Sequence, residues 1–156
     1  MKSWADARYQ LFVIRYQKTV DHIKTFEDLK CWQACRGLKA FVRVSIVPIL
    51  PKEERYRLAD QLTRAARSTT ANIAEGYGRF HYLDNAKFCS NSRGSCWEVL
   101  DHLISAHEEA FIDDNALSNG REVVNTAIKI LNGYITYLQN SSRSAKSTKP
   151  SDPDNG

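Results

Sequence analysis

The chain has 156 residues, 42% hydrophobic and 10% aromatic, enough to bury one core and too little chain for two ordinary domains. That content excludes a fully disordered chain. Lysine and arginine number 22 against 18 aspartates and glutamates, a net charge of +4, and composition alone assigns no activity. The longest apolar run, Ile46 to Leu50, is interrupted at Pro48 and falls far short of the ~20 residues of a membrane span. The opening Met1-Lys2-Ser3-Trp4-Ala5-Asp6 has no apolar h-region, so no secretory signal is expected. The expectation is a soluble, cytoplasmic, single-domain protein with no membrane partner.

Residues 1–25 read as an N-terminal extension. Its apolar segment Tyr9 to Tyr16 has no period that chooses between strand and helix. Helical signals begin at residue 26. Cys31, Cys35, Leu38, Val42 and Ile46 form one apolar stripe, Glu27 and Asp28 suit a first turn, and Pro48 and Pro51 end the segment. The first helix is predicted over 26–47. Pro51 followed by Lys52, Glu53 and Glu54 reads as the next start, and Leu58, Leu62, Ala65, Thr69 and Ile73 continue it. Gly76 is the expected left-handed stop, which gives a second helix over 52–75.

The third helix is predicted from Leu83 or Asp84 to about Phe111, with Phe88, Ser92, Ser95 or Cys96, Val99, Leu103, Ala106 and Ala110 along one side. Gly94 inside it costs up to ~1 kcal/mol against alanine, so a close backbone contact with a neighbouring helix is expected there. Asp113 or Asp114 is the candidate cap of a fourth helix carrying Leu117, Val124, Ile128, Leu131, Ile135 and Leu138. Residues 141–156, rich in serine and without period, read as a disordered tail. The predicted fold is all-α: an antiparallel up-down-up-down four-helix bundle over 26–140.

Cysteines 31, 35, 89 and 96 would share helix faces in pairs. Buried reduced thiols are the more economical reading, since the tight C-x-x-C spacing of a zinc site is absent. Charge is informative once divided. Residues 30–79 hold ten bases and four acids, while 80–140 hold four bases and eight acids. Such a split suits a positive patch for nucleic acid or complementary faces that meet between subunits.

Specific motifs narrow the reading. Phe26-Glu27-Asp28-Leu29-Lys30-Cys31-Trp32-Gln33, Pro51-Lys52-Glu53-Glu54-Arg55-Tyr56, Gln61-Leu62 and Arg64-Ala65-Ala66 are followed by Ala71-Asn72-Ile73-Ala74-Glu75-Gly76-Tyr77-Gly78-Arg79. Then come Phe88, Arg93-Gly94-Ser95 with Glu98, and Leu131-Asn132-Gly133. Over about 26–138 the chain resembles the four-helix-bundle proteins encoded in intervening sequences of bacterial 23S ribosomal RNA genes. The accessory variability protein of diversity-generating retroelements is similar. The resemblance implies a barrel-like homopentamer with no enzymatic activity and no cofactor. It also implies, from the retroelement relatives, basic surfaces that bind nucleic acid and a reverse transcriptase as an alternative partner. The chain departs from the family pattern at residues 1–25, in its tail, and at Ser68-Thr69-Thr70, where relatives usually carry serine, an aliphatic residue and proline. A straighter helix is expected there.

Arg36, Lys39 and Arg43 share one side of the first helix, and Arg57, Arg64 and Arg67 one side of the second. Side by side they would form a strip able to track phosphates. Asp60 lies within that stripe and would pair with Arg57 or Arg64. No RRM, KH or zinc-knuckle signature is present, so binding of low sequence specificity is expected. The motif residues Asn72, Glu75, Arg93 and Glu98 suit a buried Glu–Arg network that fixes register or an interface, better than they suit acid–base catalysis. Gly76, Tyr77, Gly94 and Arg79 complete the candidate set. Tyr77, Gly78, Arg79 and Phe80 are expected as an exposed aromatic and basic cluster. Glu98 and His102 have E-x-x-x-H spacing, not the E-x-x-H of di-iron bundles. No catalytic residue and no metal ligand set is predicted.

Overall fold

Four long helices dominate the computed structural model, which describes residues 23–79 and 81–147. Apart from residues 23–25 the expected extension lies outside the described residues, as does the tail beyond Ser147. A short 3-10 turn, Phe26–Asp28, leads into α1, Lys30–Phe41. The Asp28 carboxylate accepts from the Lys24 and Thr25 backbone amides at 2.9 and 3.1 Å, fixing that entry.

The predicted first helix is not one α-helix. After Phe41 it rewinds into a π-helical segment, Val42–Ile46, and a 3-10 turn, Val47–Ile49. Pro48 has no N–H, and its ring would clash with the carbonyl four residues back, so the regular ladder cannot run through it. The rewound segment still keeps Val42 and Ile46 buried in line with Cys31, Cys35 and Leu38.

The second helix also starts later than its acids suggest. Lys52–Tyr56 is a 3-10 turn, and α2 runs Leu58–Tyr77. Glu54 accepts from the Leu58 backbone N–H at 3.2 Å, so the acid caps the helix from outside rather than sitting in its first turn. The helix passes unbroken through Ser68-Thr69-Thr70. Gly76 lies within α2 and has no positive φ. Its role is space: an added Cβ would lie 2.8 Å from both Asn85 Oδ1 and Phe88 Cβ.

Helix α3 spans Tyr82–Glu108 and α4 spans Asp114–Ser147. Residues 141–147, expected in the tail, continue α4. Between the two helices Phe111 N donates to Ala106 O at 2.8 Å and Ala110 N to His107 O at 2.9 Å. These are the paired bonds of a Schellman cap, and Ala110 occupies its left-handed position at φ 58°.

The helices close a ring, with α1 against α2 and α4, and α3 against α2 and α4. Contacts between α2 and α3 run from Gly76 with Asn85 and Phe88 at one level to Ser68 with Ser95 at another. Contacts between α3 and α4 run from Asn85 with Tyr134, through Arg93 with Asn132, to Leu103 with Gly120. In both pairs, residue numbers rise on one helix as they fall on the other. Leu38, Ile46, Leu62, Ile73, Val99, Leu103, Val124, Leu131 and Leu138 are fully buried at the centre. No described helix is long and apolar enough to cross a membrane.

Candidate nucleic-acid interface

The cationic side chains expected to align fall into two groups. Arg36 and Lys39 of α1, Arg43 of the π-helical segment that continues it, and Arg67 of α2 line one groove, about 450 Å³ in volume. Helical spacing of three and four puts Arg36, Lys39 and Arg43 on one edge, and Arg67 lines the same groove from α2 beside Ala66. Lys39 Nζ donates to Thr70 Oγ1 at 3.3 Å, a cross-helix bond that holds the ammonium at the groove wall. Arg36 stacks over Trp32 at 5.8 Å from the ring centroid. Among the described residues no carboxylate pairs with Arg36, Lys39, Arg43 or Arg67.

Arg57 and Arg64 differ. Arg57 precedes α2 and sits 3.8 Å from Glu54, while Arg64 sits 3.9 Å from Asp60. Their side chains are 77% and 78% exposed, and neither lines the groove. Of the predicted second-helix stripe, only Arg67 joins the α1 cations. Two cations that the sequence reading omitted do join. A second trough of about 440 Å³ shares Arg67 and Thr63 with the first and is lined by Lys52 and Arg55. Both lie in the 3-10 turn, where α-helical spacing cannot find them. Asp60 is the acid in this trough.

Arg79 lies at the other end of α2. It bonds Glu75 at 2.6 Å and lies 4.8 Å over the Phe88 ring. The expected exposed cluster beside it is a correction: Tyr77 is half-buried against the core and meets Phe26 edge-on at 6.5 Å. Phe80 lies outside the described residues.

The motif polar residues also pair differently from expectation. No Glu–Arg network forms between Glu75, Arg93 and Glu98. Arg93 donates to Asn132 Oδ1 at 2.8 Å and to Ser90 Oγ at 3.2 Å, tying α3 to the Asn132 motif of α4. Asn72 donates to Ser68, through the carbonyl at 2.9 Å and the hydroxyl at 3.0 Å. Ser68 in turn meets Ser95 at 2.9 Å, and Ser92 donates to the Thr69 carbonyl at 2.6 Å. Across α2 and α3 the polar contacts are thus made by short side chains and a backbone carbonyl. Glu98 faces His102 at 3.8 Å on the surface. The expected close contact at Gly94 is absent: nothing lies within 4 Å of a Cβ built there. Exposed Trp97 stands one turn away on the same outward face.

All four cysteines are free and buried. Burial pushes the Cys89 thiol up to about 12 and the Cys31 thiol well above its ordinary range. A hydrogen bond to Cys35, with burial added, raises Cys96 as well. Buried Asn85, unmarked in the sequence reading, bonds the Tyr134 hydroxyl at 3.1 Å and accepts from Cys89 at 3.4 Å. Among the described residues no group of three or more His, Cys, Asp or Glu could hold a metal ion.

Comparison with known proteins adds one finding. No curated protein matches the chain. The family model described as 23S rRNA-intervening sequence protein matches residues 27–133, from the entry to α1 through the Leu131-Asn132-Gly133 motif of α4. Helical architecture, the junction of Arg93 with Asn132 and the span of that match agree, and the chain belongs to the 23S rRNA-intervening sequence protein family.

Proposed function

We propose that the chain is a non-catalytic, self-associating scaffold that binds nucleic acid through the groove between α1 and α2, with little sequence preference. The observation that carries this reading is the gathering of Arg36, Lys39, Arg43 and Arg67 without a carboxylate partner among the described residues. Arginine offers bidentate geometry for phosphate, and phosphate contacts carry no sequence information. The groups with shifted pKa, Cys31, Cys35, Cys89, Cys96 and Tyr134, belong to the buried core, and none lines the groove. That distribution favours binding over acid–base chemistry.

Self-association is supported by the outward face of α3. An exposed mid-helix glycine is costly in an isolated chain, and Trp97 beside it is 50% exposed. A second copy packed there would use both features. The family resemblance sets the expected number at five, so light scattering should give about five times 17.8 kDa. A stable monomer at micromolar concentration would contradict the assembly.

Binding is tested with a labelled structured RNA and a matching DNA duplex, comparing wild type with Arg36→Glu/Arg67→Glu and with Arg57→Glu/Arg64→Glu. The account expects both nucleic acids to bind, with the larger loss in the groove pair. No binding at low salt, with the oligomer intact, would overturn it and turn the groove into a contact for the acidic half of another copy.

A further inference from the structure

Phosphate contact alone does not require aromatic rings, yet one lining cation in each trough lies over a ring. Arg36 of the first trough lies over half-buried Trp32. Arg55 of the second lies over Tyr56 with 5.4 Å between guanidinium carbon and ring centroid. Tyr56 is 82% exposed, more than any other large hydrophobic side chain among the described residues. Arg55 covers one face of the ring, and that exposure leaves the other face to solvent.

The two forms of nucleic acid differ in what they offer such a site. A duplex keeps its base faces stacked inside and presents backbone and groove edges. A single strand offers free base faces, and an aromatic platform flanking a cationic track is the arrangement that holds it. From Arg36 to Arg43 the α1 edge runs ~10 Å. The second trough extends the track past Arg67 to Arg55 and Lys52. Six cations meeting one phosphate each correspond to a tract on the order of six nucleotides.

We infer that this groove takes single-stranded nucleic acid, its backbone along Arg36, Lys39, Arg43 and Arg67 and a base stacked on the open face of Tyr56. The inference rests on the nucleic-acid reading above and names its substrate class. Tyr56 is a positioning contact for the terminal base, outside the phosphate track itself.

The test compares a short unpaired oligonucleotide with a blunt duplex carrying the same number of phosphates, both on the full chain. Single strand should bind about tenfold more tightly, and Tyr56→Ala should remove about that factor while leaving duplex affinity unchanged. Tyr56→Phe, which keeps the ring, should bind as wild type does. Duplex affinity equal to or above that of the single strand, or Tyr56→Ala without effect on the single strand, would overturn the inference. Arg36→Glu/Arg67→Glu separates the two levels. If that pair weakens both ligands while Tyr56→Ala does nothing, the basic track stands and the single-strand preference falls. If neither ligand binds wild type, both fall.

Discussion

The α1–α2 half and the α3–α4 half of this bundle solve the same packing problem with different surfaces. The first half breaks its helices into π and 3-10 turns around Pro48 and Pro51 and leaves a line of cations without acidic partners among the described residues. The second half consists of two long, regular helices, carries the acidic excess, and ties itself together through Arg93 and Asn132. On the reading proposed above, nucleic acid meets the first half, where Arg36 and Lys39 sit on α1, Arg67 on α2, and Arg43, Lys52 and Arg55 on the rewound segments.

The comparison breaks if charge in either half proves interchangeable. The largest expected effect is on nucleic-acid affinity: Arg36→Glu/Arg67→Glu should lower it by more than about tenfold at moderate salt, since each phosphate contact feeds the salt-dependent term. Equal loss on reversing Arg121 and Lys129 of α4, measured by the same titration, would erase the distinction between halves.

Helix contacts sharpen it next. Gly76→Val should destabilise the fold by ~1–3 kcal/mol, because Cβ meets the Asn85 side chain and its backbone carbonyl, which cannot swing away. Arg93→Ala should cost ~1–2 kcal/mol by leaving Asn132 without its charged donor. Urea unfolding reads both. Gly94→Ala tests whether the outward face of α3 is the proposed subunit surface. In dissociated chains it should add up to ~1 kcal/mol of helix stability, and in the assembly it should weaken association, a split visible as opposite shifts in unfolding and in mass.

High pH gives a smaller and more general test. The buried Cys89 thiol titrates at about 12 in the folded chain against an ordinary value of 9.0. Its contribution to stability is therefore intact below pH 9 and is lost as pH rises towards 12, where the unfolded chain gives up a proton that the folded one retains. Melting temperature should fall over that interval, and the fall should flatten in Cys89→Ala. The smallest effect is at the α3–α4 turn: Ala110→Gly removes the cost of a left-handed alanine and should stabilise by up to ~1 kcal/mol.

Much of the fold was legible because its stripes obey helical period. Cys31 to Ile46, Leu58 to Ile73 and Val124 to Leu138 are buried where their spacing puts them. Period is blind to what happens between helices. Gly76 reads locally as a stop, yet it is spared a side chain for the sake of α3. Glu54 reads as a first-turn acid, yet it caps α2 from the preceding turn. Of the candidate site, the α1 cations were legible, whereas Arg57 drops out because the chain before Leu58 is 3-10. Lys52 and Arg55 enter for the same reason. Their place in the groove depends on how the Pro48–Pro51 turn folds back, which no spacing rule encodes.

The most direct test of the central claim is to cross-link a bound oligonucleotide to the intact assembly with ultraviolet light and map the modified peptides by mass spectrometry. The account predicts adducts between Trp32 and Arg67, with Tyr56 among them, and none around Trp97 or in the first half of α4. Adducts concentrated on α3 and α4, with Tyr56 and Trp32 untouched, would contradict it.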